Sequence, residues 1–223
     1  MQVFIAIIYA LNNFMIVQVK DTVIAVVVPQ KCGISTITNM LAYHLTNKVL
    51  SKTKCRRTLS NAGCLINPGQ LEETFFIDWC NQKPDLVFAV VRDPIDRLLS
   101  AYRDRVYTKN MDEFKNCSWE WFCNNFKDLV LQGTDVGRHC RPEVDWLGRE
   151  ANRYDTVFYT QDLNTKVKTI IENITDITIP DLFENASNQF DIEMTNEQKN
   201  FFADYYARDY EFISQAISLS KFA

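Results

Sequence analysis

The sequence predicts an α/β fold, with a central parallel sheet flanked by helices and a mainly helical C-terminal half. Two short apolar runs, Val23–Val28 and Leu86–Val91, point to it first. Both are rich in β-branched residues and neither alternates, as expected of parallel strands buried on both faces. The segment after each run points the same way. Ile37, Met40, Leu41, Leu45 and Val49 mark one helical face after the first run. Ile95, Leu98, Leu99, Tyr102 and Val106 mark another after the second. Strand then helix, twice, implies parallel crossover units.

At the N-terminus, Val3–Tyr9 and Met15–Lys20 read as strands joined by a turn at Leu11-Asn12-Asn13. Residues 1–22 are therefore expected to add a hairpin to one domain spanning 1–223. The apolar stretch Met1–Val17 is too short and too interrupted to cross a bilayer. It also lacks the basic front and small-residue cleavage site of a signal peptide. The expectation is therefore a soluble, cytoplasmic chain. Helices are expected at Glu72–Cys80, Ser118–Leu131, Leu163–Asn173 and, as one long element, from about Asn196 to Leu219. Thr156–Tyr159 reads as a further strand, and Trp119, Trp121, Phe122 and Phe126 as core at helical spacing.

The charge balance narrows the function. A net charge of −4 speaks against a general nucleic-acid surface, which needs a basic face. An anionic ligand then requires a local cluster of positive groups. The seven cysteines are an odd number, so they do not form a complete disulfide set within one chain. None is spaced as Cys-x-x-Cys, and no metal-ligand cluster is visible, so no metal site is predicted.

In open α/β sheets, ligands bind beyond the carboxyl ends of the strands. Pro29-Gln30-Lys31-Cys32-Gly33-Ile34-Ser35-Thr36 lies there after the first strand. Such a turn can aim backbone N–H groups at an anion, and a helix N-terminus adds about half a positive charge. Gly33 permits close approach, Ser35 and Thr36 carry hydroxyls, and Lys31 adds a full charge. Taken alone, the segment reads first as a plain strand-to-helix turn that contains a lysine. It departs from the Gly-Lys-Ser/Thr ending of nucleoside-triphosphate loops, because Ile34 precedes Ser35.

The second strand runs into Arg92-Asp93-Pro94-Ile95-Asp96-Arg97-Leu98-Leu99-Ser100-Ala101-Tyr102. Asp93 suits a helix cap and Pro94 the first helical position. Arg92 and Ser100 together offer a forked guanidinium and a hydroxyl to a dianion. Arg97, expected on the face away from the apolar stripe, reads as an ion-pair partner for Asp93 or Asp104. A nucleoside-triphosphatase would place a Mg²⁺-holding aspartate where Arg92 stands.

The two segments resemble the donor-binding motifs of sulfotransferases that use 3′-phosphoadenosine-5′-phosphosulfate (PAPS). Gln30 to Thr36 is similar to the 5′-phosphosulfate loop, and Arg92-Asp93-Pro94 with Arg97, Ser100 and Tyr102 to the 3′-phosphate motif. His139-Cys140-Arg141-Pro142-Glu143, Tyr154-Asp155-Thr156-Val157, Gln161-Asp162-Leu163, Asn185-Ala186-Ser187 and Tyr205 to Glu211 resemble landmarks of the carbohydrate group, the chondroitin, dermatan and heparan-type enzymes. Glu143 stands where that group commonly has Gln. The resemblance implies a three-layer phosphate-loop-type fold and a soluble microbial or viral version of the group. It also implies PAPS as donor, the desulfonated nucleotide (PAP) as product, no metal, and a carbohydrate or other small hydroxyl acceptor.

In that scheme Lys31, Cys32, Gly33, Ile34, Ser35, Thr36, Arg92 and Ser100 hold the donor, and Lys31 is catalytic. Of the two histidines, His44 falls on an apolar helix face and reads as packing. His139 reads as the general base, as a ligand contact or as structural. Glu72, Glu73 and Asp78 are acidic alternatives for the base. Arg138, Arg141 and Arg149 read either as lining for an acceptor cleft or as ordinary surface charge. Two other readings remain open: a relative that binds PAP or glycan without catalysis, and a degenerate kinase or nucleoside-triphosphatase.

Overall fold

The computed structural model describes residues 10–19, 22–62, 65–67, 84–108, 117–182 and 191–219. The strands are β1 (Ala10–Val19), β2 (Thr22–Val27), β3 (Leu65–Asn67), β4 (Leu86–Val91) and β5 (Thr156–Tyr159). They form one sheet in the order β3-β1-β2-β4-β5. Its β2-β4-β5 part is parallel, in a register that sets Val26 opposite Phe88 and Val91 opposite Tyr159. The carboxyl ends of these three strands therefore share one edge.

The helices are α1 (Ile34–Thr46), α2 (Lys52–Asn61), α3 (Pro94–Tyr102), α4 (Trp119–Leu131), α5 (Asp135–His139), α6 (Val144–Leu147), α7 (Lys168–Thr175), α8 (Asn196–Tyr205) and α9 (Ala207–Leu219). Strand residues alternate between two cores. Ile24, Val26, Phe88, Val90 and Phe158 pack with Ile37, Met40 and Leu41 of α1 and Ile171 of α7. Ala25, Val27, Ala89, Val91 and Val157 pack on the other face with Leu147 of α6 and Phe212, Ile213 and Ala216 of α9. Helices thus cover both faces of the sheet, which explains the unbroken apolar runs. A third core joins α3, α4 and α8 through Leu98, Tyr102, Phe122, Phe126 and Phe202.

Several expectations change. Leu11-Asn12-Asn13 lies inside β1, not at a turn. The hairpin is instead β1 with β2, antiparallel from Phe14 opposite Val27 to Val19 opposite Thr22. The Asn pair marks an irregularity in pairing, since Ala10 faces Asn67 of β3 while Phe14 faces Ile66. Extra residues on one strand are what a bulge requires, and Asn suits a bulge as well as a turn. Val3–Tyr9 and Glu72–Cys80 fall outside the described residues. Leu45 is exposed because the buried stripe of α1 ends before its C-terminus, and Val49 is exposed beyond the end of that helix. The long last helix is broken at Tyr206 into α8 and α9. Trp121 is 39% exposed, whereas Phe122 and Phe126 are fully buried and Trp119 packs against them. On a 3.6-residue helix, 119, 122 and 126 share a face that 121 does not.

The Phe126 ring makes edge-on contacts with Phe122, Phe202 and Tyr205. Phe126→Ala is expected to cost about 3–5 kcal/mol through the cavity it leaves. Trp121→Ala should stay within about 0.5 kcal/mol. Urea unfolding midpoints of the two variants check this contrast.

Candidate active site

The turn after β2 is tightly specified. Val28 and Pro29 are buried, and the Cys32 N–H donates to the Pro29 carbonyl at 3.1 Å. Lys31 and Gly33 both take left-handed backbone conformations, with φ of 68° and 86°. The first α-helical bond of α1 runs from Ile37 N–H to Gly33 O. The amides of Ile34, Ser35 and Thr36 precede it, so the helix offers them no carbonyl, and their dipoles add to positive potential at this end. Ser35 and Thr36 are buried in the same first turn. Gly33 also answers to packing: a Cβ there would meet Leu163 Cδ1 at 2.3 Å. The glycine therefore admits Leu163, and its left-handed φ suits a residue without Cβ.

The second motif stands beside the first because β4 pairs with β2. Asp93 caps α3, accepting from the N–H groups of Ile95 at 2.9 Å and Asp96 at 3.0 Å. Pro94 occupies the first helical turn. Arg92 is half-buried at the end of β4, and no carboxylate among the described residues pairs with its guanidinium. Ser100 is buried two turns along α3.

A buried ionic tie joins both motifs to the C-terminal half. Glu143 Oε1 accepts from the Cys32 thiol at 2.9 Å and from the Arg92 N–H at 3.2 Å. It also lies 3.2 Å from Arg97 Nε, and both side chains are wholly inaccessible to solvent. Arg97 donates to the carbonyls of His139 and Arg141 and lies over the Tyr206 ring. Asp209, 3.9 Å from Arg97, accepts from the backbone N–H groups of Glu143 and Val144. Arg97 therefore pairs with Glu143 and Asp209, not with Asp93 or Asp104. It is buried because the 139–143 segment and the α8–α9 break cover its side of α3. Burial lifts Glu143 to about 7, against the attraction of Arg97. Burial is the largest influence and works against the Arg97 charge, but the surrounding groups, Glu143 first among them, together outweigh it and raise the guanidinium. Burial raises the Cys32 thiol, which stays protonated and able to donate.

Lys31 and His139 belong to a second, more open cluster. Lys31 Nζ lies 2.8 Å from Asp104 Oδ2, and Arg105 Nε lies 3.3 Å from the same oxygen. Arg105 also reaches Asp135 at 3.0 Å and His139 Nε2 at 2.6 Å. His139 Nδ1 lies 2.7 Å from the Asp135 carbonyl, so the ring donates there and accepts from Arg105 at Nε2. Burial pushes His139 down to about 4, with the Arg105 charge adding to the effect. His139 is neutral near pH 7, and both ring nitrogens are engaged. Arg138 and Arg141 flank it on the surface, paired with Asp135 and Asp145. Arg149 is exposed, and His44 is half-buried on α1. Glu72, Glu73, Asp78 and Asn185-Ala186-Ser187 fall outside the described residues.

The turn that opens α1 and the arginine–serine segment stand after adjacent parallel strands, joined by one buried carboxylate. The family model described as "Sulfotransferase family" matches residues 13–213. This chain belongs to the sulfotransferase family. Among curated proteins, no individual match was found. No helix of the sulfotransferase is long and apolar enough to cross a membrane, among the described residues. The site also contains residues to which the sequence alone assigned no role there, Asp104 reading only as an ion-pair partner for Arg97. Glu143 and Asp209 lie in landmark segments that carried the resemblance, and Asp104 and Arg105 come directly after the Arg92 motif.

These charges have two measurable effects. Arg97→Met leaves Glu143 buried without its cation and should destabilise the sulfotransferase by about 3–5 kcal/mol. Adding Glu143→Leu should recover much of that loss, as read by urea denaturation. His139 takes a proton near pH 6.5 when unfolded but only near 4 when folded. Between those values the unfolded chain binds more protons, so stability falls as pH drops through the window. His139→Gln should flatten that part of the melting-temperature profile relative to wild type.

Proposed function

We propose that this sulfotransferase takes its sulfuryl group from PAPS and passes it to a hydroxyl, on a carbohydrate or another small alcohol. One observation supports the reading: a left-handed turn leading into a helix and an arginine–serine segment follow adjacent parallel strands and share Glu143. A nucleotide with a phosphosulfate at one end and a 3′-phosphate at the other presents two anions of matching kind. The left-handed turn, the amides of Ile34 to Thr36 and the hydroxyls of Ser35 and Thr36 suit the first anion. Arg92, with no carboxylate partner among the described residues, and buried Ser100 suit the second. An arginine at the end of β4 favours direct phosphate binding over a metal-bound triphosphate.

PAPS supplies sulfur already activated as a mixed anhydride with phosphate. An acceptor oxygen attacks that sulfur, the bond to the 5′-phosphate oxygen breaks, and the products are a sulfate ester, PAP and a proton. The task of the protein is to orient the partners and to stabilise negative charge. Lys31 and the loop amides serve the oxygens on which that charge builds. His139 stands on the Lys31 side of the site, and proton acceptance at its Nε2 requires Arg105 to let go. Arg138 and Arg141, on the surface of the same segment, suit an acceptor that carries negative charge. Carbohydrate is favoured by resemblance to the glycan-modifying group.

Saturating PAP is expected to raise the melting temperature, because it binds the folded state alone. Absence of any shift would remove the donor assignment. Arg92→Ala and Ser100→Ala should weaken PAP binding, the arginine by ~10–100-fold as for a lost charge-assisted hydrogen bond. Lys31→Ala should instead lower turnover of PAPS with a responsive acceptor by ~100–1000-fold. Equal loss of PAP affinity in all three would contradict this division of roles. A panel of glycans and simple alcohols assayed with labelled PAPS identifies the acceptor class, and binding without transfer would mark a non-catalytic relative.

A further inference from the structure

The lysine that the donor needs already has a carboxylate. Lys31 Nζ and Asp104 Oδ2 are 2.8 Å apart, and their side chains are 18% and 26% exposed. This inference rests on the donor assignment above: we propose that Asp104 is the positioning residue for Lys31, setting the place of its ammonium and competing for it with the phosphosulfate end of the donor.

Three features support this. The backbone at Lys31 is held in a left-handed conformation, which costs a non-glycine residue roughly 1–2 kcal/mol. Because the Cys32-to-Pro29 hydrogen bond closes the turn, the side chain leaves a fixed point. Its remaining freedom lies in its own torsions, which a carboxylate at the right distance restricts. Asp104 is also placed by an unusual element. α3 passes into a π-helical stretch, Arg103–Thr108. The wider turn changes the direction in which 104 and 105 project relative to α3, and such insertions recur at functional sites.

The third feature is the charge on the far side of Asp104. Arg105 lies 3.3 Å from the same oxygen and is anchored by Asp135 and His139. If Lys31 turns to an anion, Asp104 keeps Arg105 as its counter-charge. The exchange therefore strands no carboxylate, which is the usual penalty for breaking a desolvated pair. Solvent reaches both partners, so the ammonium can move between them. The Arg97–Glu143 pair, with no access to water, lacks that freedom. Asp104, Arg105 and His139 then form one assembly that aims Lys31 and yields it.

A double-mutant cycle on the full chain tests this, read by PAPS and PAP affinity from calorimetry. Asp104→Asn should tighten PAPS about 5-fold, equivalent to about 1 kcal/mol. In a Lys31→Gln background the same change should leave affinity unaltered, because the competition is gone. Asp104→Glu, which restores the charge, should return affinity toward wild type. An equal gain with and without Lys31 would show only the general effect of removing a negative charge, and would overturn the proposal. So would no gain at all in a variant whose melting temperature is normal. Asp104→Ser provides a second reading should the Asn variant fold poorly. Failure of wild type to bind either nucleotide is a distinct result: it removes the donor assignment and this inference with it.

Discussion

The architecture of the site depends on one desolvated contact, Arg97 with Glu143. Taking two charges out of water is costly, and the interior repays it only where geometry and hydrogen bonding are complete. Here many nearby groups contribute, while Glu143 Oε2 accepts no hydrogen bond and Arg97 Nε donates none among the described residues. Arg97 donates to two carbonyls, lies over Tyr206 and approaches Asp209. Glu143 takes the Cys32 thiol and the Arg92 amide on one oxygen. Through that oxygen, the ends of β2 and β4 answer to the same group. A shift of the 139–143 segment would disturb the turn after β2 and the start of the Arg92 segment together. The segment is in turn fixed from below, because Asp209 of α9 caps the start of α6.

The molecule uses two kinds of ion pair for two purposes. The inaccessible one sets register among elements that are distant in sequence. The partly exposed one, around Lys31, Asp104 and Arg105, lies beside the turn after β2. Their difference is one of solvent contact. Water screens and replaces partners in the open cluster, whereas nothing replaces them in the closed one. A chain of acidic net charge thereby concentrates several cations at one sheet edge without leaving them all unbalanced.

Features written in local sequence were legible. β2, β4 and β5 are short apolar runs, Asp93-Pro94 announces the start of α3, and the turn at 30–33 shows its lysine and glycine. Pairings across long stretches were not. Arg97 looked like a surface residue on the polar side of an amphipathic helix, and only the folded position of 139–143 and α9 makes that side an interior. Asn12-Asn13 has the composition of a turn and becomes an irregularity within β1 only when β3 supplies the partner. The break at Tyr206 carries no glycine or proline to signal it. It coincides with a tyrosine whose hydroxyl donates to Cys140 O and an aspartate that caps another helix. The π-helical course of 103–108 likewise left no trace in the pattern of apolar residues.

Cys32 has a consequence of its own. Its thiol is fully buried, held protonated by its surroundings and committed to Glu143. Alkylating reagents act on exposed thiolates. Cys32 satisfies neither condition while the loop rests on the 139–143 segment. It can react only in moments when the two come apart, so the rate at which it is labelled is a clock for opening of the sheet edge. The partly exposed Cys117 and Cys123 provide the comparison on the same chain.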